Sequence, residues 1–260
     1  MERQRLEQIV DGFPKLRIGV VGDFFLDKWL EINRSLDELS LETNLTAYQV
    51  VAKRCYAGAA GTVLSNLAAL EVGKLFALGF VGDDGEGFEM LRILQDLGIN
   101  TEKLFVSADM MTPTYTKPVF RRKDGIEETH RLDHKNTRPT PVDLEQKIID
   151  SLWEIAGQVD ALIALDQLCS EGYGVLTPRV RQELAKFGDK YPGLILYADS
   201  RSFIKHFHNM IIKCNNLEAI KLFSSDGQSF GDETPDLEEV KKCLSKLSSS
   251  NRRVFISCGS

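Results

Sequence analysis

Short apolar runs along the chain alternate with stretches of helical period. The runs fall at residues 17–21, 74–81, 161–166, 194–199, 210–213 and 254–257. Runs with no polar face suit strands of a parallel sheet covered by helices on both sides. Between them, residues 61–71, 86–97, 141–156, 178–190, 216–223 and 237–247 repeat apolar positions at three- and four-residue intervals, which predicts amphipathic helices. Thr140-Pro141 and Thr177-Pro178 read as two helix starts, each with Thr at the N-cap and Pro at the first helical position. This regular alternation predicts a doubly wound α/β sheet.

Two segments break the rhythm. Residues 30–56 and 112–134 lack helical period and hold short alternating stretches rich in Thr, Tyr and Val. The second has a turn signal at Lys123-Asp124-Gly125 between two β-prone runs, which predicts a hairpin. Two β insertions in a parallel core can pair into a small side sheet that covers a site. The expected organisation is one domain over residues 1–260, with core at 1–29, 57–111 and 135–260 and a β lid from 30–56 and 112–134.

Composition narrows the function classes. The chain has 260 residues, 43% hydrophobic and 27% charged, enough to bury a sizeable core. Its net charge of −6 argues against a general nucleic-acid or membrane-surface binder. No apolar run approaches a membrane span, and the N-terminus lacks the apolar stretch of a signal peptide. Five cysteines without regular spacing fit a reducing cytosol better than a disulfide framework or a zinc ribbon. The expectation is a cytoplasmic protein without nucleic-acid or membrane partners.

Several familiar signatures are missing. The chain contains neither a Walker-type phosphate loop nor a GxGxxG after a strand. His130 and His134, spaced by four, fall in a strand or loop, where that spacing does not converge on a metal. The residues from Gly82 to Gly87 read as an acidic strand-to-helix turn with a capping Asp.

Three positive features remain. Asp23 and Asp27 follow the first apolar run, at the carboxyl end of a strand where open α/β sheets place ligands. They could hydrogen-bond sugar hydroxyls or cap a turn. Gly58, Ala59, Ala60 and Gly61 open a helix, where small residues let a ligand approach the backbone or let helix and sheet pack closely. Asn66, one turn further on, sits in an apolar face, and a buried amide needs partners. Lys213, Asn215 and Glu218 mark a strand running into a helix. Asn215 and Glu218 could form a capping box, or Glu218 could hold a magnesium-bound water with Lys213 near a phosphate.

In this order the features resemble the ribokinase-like (PfkB) carbohydrate kinases, nearest the heptose-phosphate kinase branch. Asp23 to Asp27 resemble the first-strand sugar-binding stretch, and Gly58 to Leu70 the glycine-rich signature. Gly79 to Asp84 resemble the next glycine-containing turn, and Arg131-Leu132-Asp133 the end of the lid hairpin. Ala198 to Arg201 resemble a strand-end pattern, and Asn215 with Glu218 the Asn-x-x-Glu motif. Ala59 and Thr62 depart from the usual Gly and Asn of the signature, and Cys214 from a common Pro.

The resemblance implies a three-layer α/β/α fold with a mostly parallel sheet and a small β lid. It implies sugar or sugar phosphate near Asp23, Asp27, Gly58, Ala59, Gly61, Asn66, Arg131, Asp133 and Asp166. It implies ATP and Mg2+ near Asp199, Lys213, Asn215 and Glu218, the metal held by Glu218 through water, and a homodimer through the lid. The family's Gly-Ala-Gly-Asp motif, whose aspartate is the expected base, does not occur in the 260 residues. The expectation is therefore a kinase domain whose base lies beyond Ser260 and which is inactive alone. Two rivals remain open, a non-catalytic sugar-binding or regulatory protein and a nucleoside kinase.

Overall fold

A computed structural model describes residues 2–122, 125–223 and 237–258, the side chain of Arg122 aside. The chain begins with α1 (Arg3–Val10), exposed along its length, and enters β1 (Arg17–Gly22), where five of six residues are buried. At Asp23 it crosses directly into β2 (Phe24–Ile32) of a second sheet. A two-stranded excursion, β3 (Glu38–Leu39) and β4 (Thr46–Ala47), precedes β5 (Val50–Ala59). Helix α2 (Ala60–Ala69) then leads to β6 (Lys74–Gly82), α3 (Gly85–Asp96) and β7 (Asn100–Ser107).

The chain next builds β8 (Thr114–Arg122), β9 (Gly125–Glu128) and β10 (Leu132–His134) before α4 (Val142–Ile155) and β11 (Ala161–Asp166). The remainder is α5 (Pro178–Lys190), β12 (Ile195–Ser200), β13 (Ile211–Asn215), α6 (Asn216–Lys221), α7 (Leu237–Ser248) and β14 (Arg253–Ser257).

Seven parallel strands form the main sheet in the order β14-β13-β12-β11-β1-β6-β7. The order reverses at β1, so ligand-binding loops gather at the carboxyl ends of β1 and its neighbours. One core lies under α2 and α3, where Leu64, Met90 and Leu94 meet Val20, Ala77 and Val81. The other lies under α4, α5 and α7, where Ile148, Val180 and Leu247 share a cluster with Leu78, Leu196 and Ile212. Val254 and Ile256 pack against that second core, whereas Phe255 on the other face is half exposed. Ile195 on the same face is also half exposed.

The side sheet runs β10-β8-β2-β5, with β9 also on β8. It joins the two insertions through the parallel pairing of β2 with β8, while β2 and β5 pair antiparallel. The expected boundary is corrected here: residues 24–29, read as core, belong to the side sheet, and so do residues 57–59. Phe24 and Leu26 are fully buried because their face of β2 packs onto α2 and α3, so no polar break marks the crossing. Arg122 pairs with Gly125, while the turn residues Lys123 and Asp124 lie outside the described residues.

Helix starts divide. Thr177 accepts from the Val180 N–H as the N-cap of α5, and Asp84 accepts from the Gly87 N–H at α3. The α4 start is corrected: Pro141 is the N-cap, and Thr140 instead donates to the Gly174 carbonyl at 2.8 Å.

Candidate active site

Asp23 and Asp27, four residues apart, end up in different environments. Asp23 is buried at the carboxyl end of β1, and three backbone N–H groups fill its carboxylate. Gln167 and Leu168 donate to Oδ2 at 2.9 and 3.3 Å, and Val175 donates to Oδ1 at 2.9 Å. Asp23 thus ties β1 to the loop after β11, and its expected place in sugar binding is corrected to that of an internal anchor. Burial pushes its carboxyl above the ordinary range, against the three N–H donors that favour the charge.

Asp166, at the end of β11, lies in the same buried network. Burial and the charge of Asp23 push its carboxyl up to about 7, opposed by the Ser200 hydroxyl donating at 2.8 Å and by Arg181. Asp23, with three N–H donors, keeps the charge longer, and Asp166 takes the proton first. Arg181 is itself buried, with a nitrogen 3.9 Å from Asp166 and its guanidinium over the Phe203 ring. Asp166, also expected on the sugar side, is therefore a buried support for β12.

Asp27 faces the opposite way, on the row of the side sheet where Asp133, Tyr115, Asp27 and Tyr56 are successive register partners. Lys117, one pair further along β8, donates to Asp27 Oδ1 at 3.1 Å and lies over the Trp29 ring. Arg131 forms a bidentate pair with Asp133 at 2.7 and 2.9 Å and covers the Tyr115 ring, 4.4 Å from its centroid. That pairing holds the Asp133 carboxyl below its usual range.

Gly58 closes in on this row. A Cβ there would meet Asp27 Oδ2 at 2.6 Å, so the backbone of β5 approaches the carboxylate as only glycine permits. Ala59, next to it, has φ 51° and ψ −117°, a conformation side chains rarely adopt, at the place where the family signature has Gly. Gly61 packs instead on Ala57 and Met90, so it serves helix packing. Asn66 is exposed on α2, which corrects the expected buried amide. A cleft of about 500 Å³ takes its walls from Asp27, Tyr56, Thr62 and Ser65 together with Ile93 of α3 and Leu97 just after that helix.

A second group lies at the carboxyl ends of β12 and β13. Asp199 and Lys213 are register partners, with Lys213 Nζ 3.4 Å from Asp199 Oδ2. Asn215 and Glu218 form a complete capping box at α6: Asn215 Oδ1 accepts from the Glu218 N–H at 2.7 Å, and Glu218 Oε2 from the Asn215 N–H at 2.8 Å. Glu218 Oε1 is not used by the box and has the Arg201 guanidinium 4.0 Å away. A carboxylate oxygen left in this way fits a water of a hydrated magnesium ion. Among the described residues no cluster of three His, Cys, Asp or Glu side chains could hold a metal by itself. Mg2+, which keeps several waters and binds mostly through substrate phosphates, does not need one.

The structure thus brings Asp27, Gly58, Ala59, Arg131 and Asp133 together on the side sheet, and Asp199, Lys213, Asn215 and Glu218 on the main sheet. Asp23, Asp166, Gly61 and Asn66 are not part of either group. Tyr115 and Lys117 line the first group without having been expected there, and Thr62, which stands where the signature has Asn, lines its cleft. The alternation of Tyr115 and Lys117 in a β-prone run was the available signal.

A parallel sheet with a reversal point, a side sheet over its carboxyl edge and a glycine-opened helix define the ribokinase-like α/β fold. The chain matches the profile of the pfkB family carbohydrate kinases over residues 27–260, and it belongs to that family. It is 29% identical over 188 residues to the bifunctional protein HldE of Citrifermentans bemidjiense, covering 72% of this chain and 36% of that protein. It is 28% identical over 230 residues to HldE of Wolinella succinogenes, covering 87% and 45%. The chain therefore spans less than half the length of these relatives. Among solved structures it resembles phosphofructokinase-2 from Escherichia coli in complex with fructose-6-phosphate, with TM-score 0.61 and 17% identity over 94% of this chain and 74% of that one. It also resembles Arabidopsis thaliana ribokinase complexed with ribose and ATP, with TM-score 0.60 and 17% identity over 93% and 71%.

Proposed function

We propose that this chain is the sugar-binding and part of the nucleotide-binding portion of an ATP-dependent kinase acting on a hydroxyl of a sugar or sugar phosphate. The observation that carries the reading is the approach of Gly58 to Asp27, which leaves one carboxylate beside bare backbone in a cleft walled by α2. Such a site offers a hydroxylated ligand an acceptor and close backbone contacts. Lys117 and Arg131 add positive charge for a substrate that already bears a phosphate. MgATP lies along Asp199, Lys213, Asn215 and Glu218. Mg2+, when bound, would supply neutralisation of phosphate charge, and Lys213 would orient the chain of phosphates while Glu218 would accept a hydrogen bond from a water of the ion.

The base that deprotonates the sugar hydroxyl comes, in this reading, from outside the 260 residues, and the chain alone does not turn over. The commitment of Asp23 to three backbone amides supports this. The same reading includes a homodimer through the side sheet, which would cover the exposed Val50 and Val51 of β5 and Leu39 and Leu45 of the β3–β4 excursion, and a cytoplasmic setting. No helix among the described residues is long and apolar enough to cross a membrane.

A second reading, sugar binding without phosphoryl transfer, draws on the closed capping box, which occupies Asn215 and half of Glu218. Incubation with MgATP and a panel of sugars, sugar phosphates and nucleosides tests both, with ADP release followed alongside ligand-induced thermal shift. Sugar-dependent stabilisation without ADP is the expected result for the isolated chain. ADP release by the 260 residues would overturn the assignment of the base, and stabilisation by nucleosides alone would overturn the substrate class.

A further inference from the structure

We propose that Arg201 is a phosphate-binding residue whose guanidinium rests loosely beside Glu218 until the phosphate chain arrives. The proposal rests on reading the ends of β12 and β13 as the nucleotide side.

The start of the Arg201 side chain is fixed. Its N–H donates to the Asp166 carbonyl at 3.0 Å, and the preceding Ser200 is tied to the Asp166 carboxyl at 2.8 Å and to the Phe203 N–H at 2.9 Å. The far end is loose. The guanidinium side chain is 58% exposed, 4.0 Å from Glu218 Oε1 and 3.5 Å from Gln167 Oε1. Neither is a good hydrogen bond for a group with five donors.

Other arginines of this chain that serve structure are held differently. Arg17 reaches Asp160 at 2.8 and 3.3 Å, and Arg252 donates to the Leu194 carbonyl at 3.1 Å. A guanidinium with a pinned root and slack partners is placed to turn toward a ligand. Lys213 stands at the end of the adjoining strand, as the register partner of Asp199 two residues before Arg201, so two cations come from neighbouring strand ends. The ligand that suits them has several anionic oxygens in a row, and the planar fork of arginine matches a phosphate in a bidentate manner. On binding, Arg201 exchanges Glu218 for phosphate, which frees Glu218 Oε1 for the water of magnesium.

Calorimetric titration of the 260-residue chain with MgATP and with magnesium tripolyphosphate tests this, in the wild type, R201A, R201Q, R201K and the distant control R253A. R201A and R201Q should weaken both ligands by at least about tenfold, since a charge-assisted contact of this kind is lost. R201K should recover part of the loss, R253A should bind as the wild type, and all unfolding midpoints should stay close together. Binding by R201A within about twofold of the wild type would overturn the proposal, and so would an equal loss in R253A. A wild-type chain that takes up neither ligand would overturn the nucleotide-site reading itself, and Arg201 with it.

Discussion

Lys117 and Asp27 meet on the side sheet across the pairing of β8 with β2, Nζ to Oδ1 at 3.1 Å, although 90 residues separate them in sequence. The same ammonium lies over the Trp29 ring, 4.9 Å from its centroid, so ring and carboxylate together fix its position. In this account Lys117 holds Asp27 in the orientation that receives a ligand hydroxyl.

Lys117→Met, which keeps the length of the side chain and removes its charge, should therefore lower sugar affinity by about tenfold, the equivalent of one charge-assisted contact. Stability should change by no more than about 1 kcal/mol, because both partners are partly solvated. Calorimetry and thermal unfolding on the same preparation separate the two effects.

Gly58→Ala places a methyl group 2.6 Å from Asp27 Oδ2 and 3.0 Å from the Phe25 carbonyl. The carboxylate must move away, and sugar binding should be lost. Overpacking of this kind costs about 1–3 kcal/mol, readable as an earlier midpoint in urea.

Ala59 is the opposite case. Its φ of 51° with ψ −117° suits glycine, so Ala59→Gly should relieve strain and raise stability by about 1 kcal/mol despite the entropy glycine adds to the unfolded chain. A decrease in the unfolding midpoint would show that the backbone there is not strained.

Asp166 gives the protein a pH dependence of definite sign. The folded state keeps a proton on this carboxyl up to about pH 7, whereas the unfolded chain releases it near pH 4. The folded state thus binds more protons over this window, so stability from this group falls as pH rises from about 4 to about 7. Asp166→Asn mimics the protonated form and should flatten the slope, leaving the variant relatively more stable at pH 8 than at pH 5. Parallel slopes in wild type and variant would contradict the buried-proton assignment.

The core strands were readable because β1, β6 and β11 to β13 are continuous apolar runs in the middle of a covered sheet. Strand β7 was not, because it lies at the sheet edge and carries Asn100, Thr101, Glu102 and Lys103 in its first half. The start of β2 was hidden by Phe24, Phe25 and Leu26, which continue the apolar run of β1 while the chain changes sheets at Asp23. At the site, Asp27 stood out by its place after the first apolar run and Gly58 by the small residues opening a helix, and resemblance to a known family added their expected role. Tyr115 and Lys117 were not, since only the long-range pairing of β8 with β2 brings them to Asp27. Asn66 looked buried by its neighbours in sequence, yet the helical period turns it outward beyond Thr62 and Ser65. Asp23 shows the converse: a carboxylate at a strand's carboxyl end was claimed by backbone amides that arrive 144 residues or more later.

The central claim is that Asp27 receives a sugar or sugar phosphate. Calorimetric titration of the 260-residue chain with a panel of sugars and sugar phosphates, without nucleotide, tests it most directly when wild type and Asp27→Asn are compared. The account predicts saturable binding of at least one member by the wild type, weakened by at least about tenfold in the variant at an unchanged unfolding midpoint. Equal binding by the two proteins, or no binding by the wild type, would contradict it.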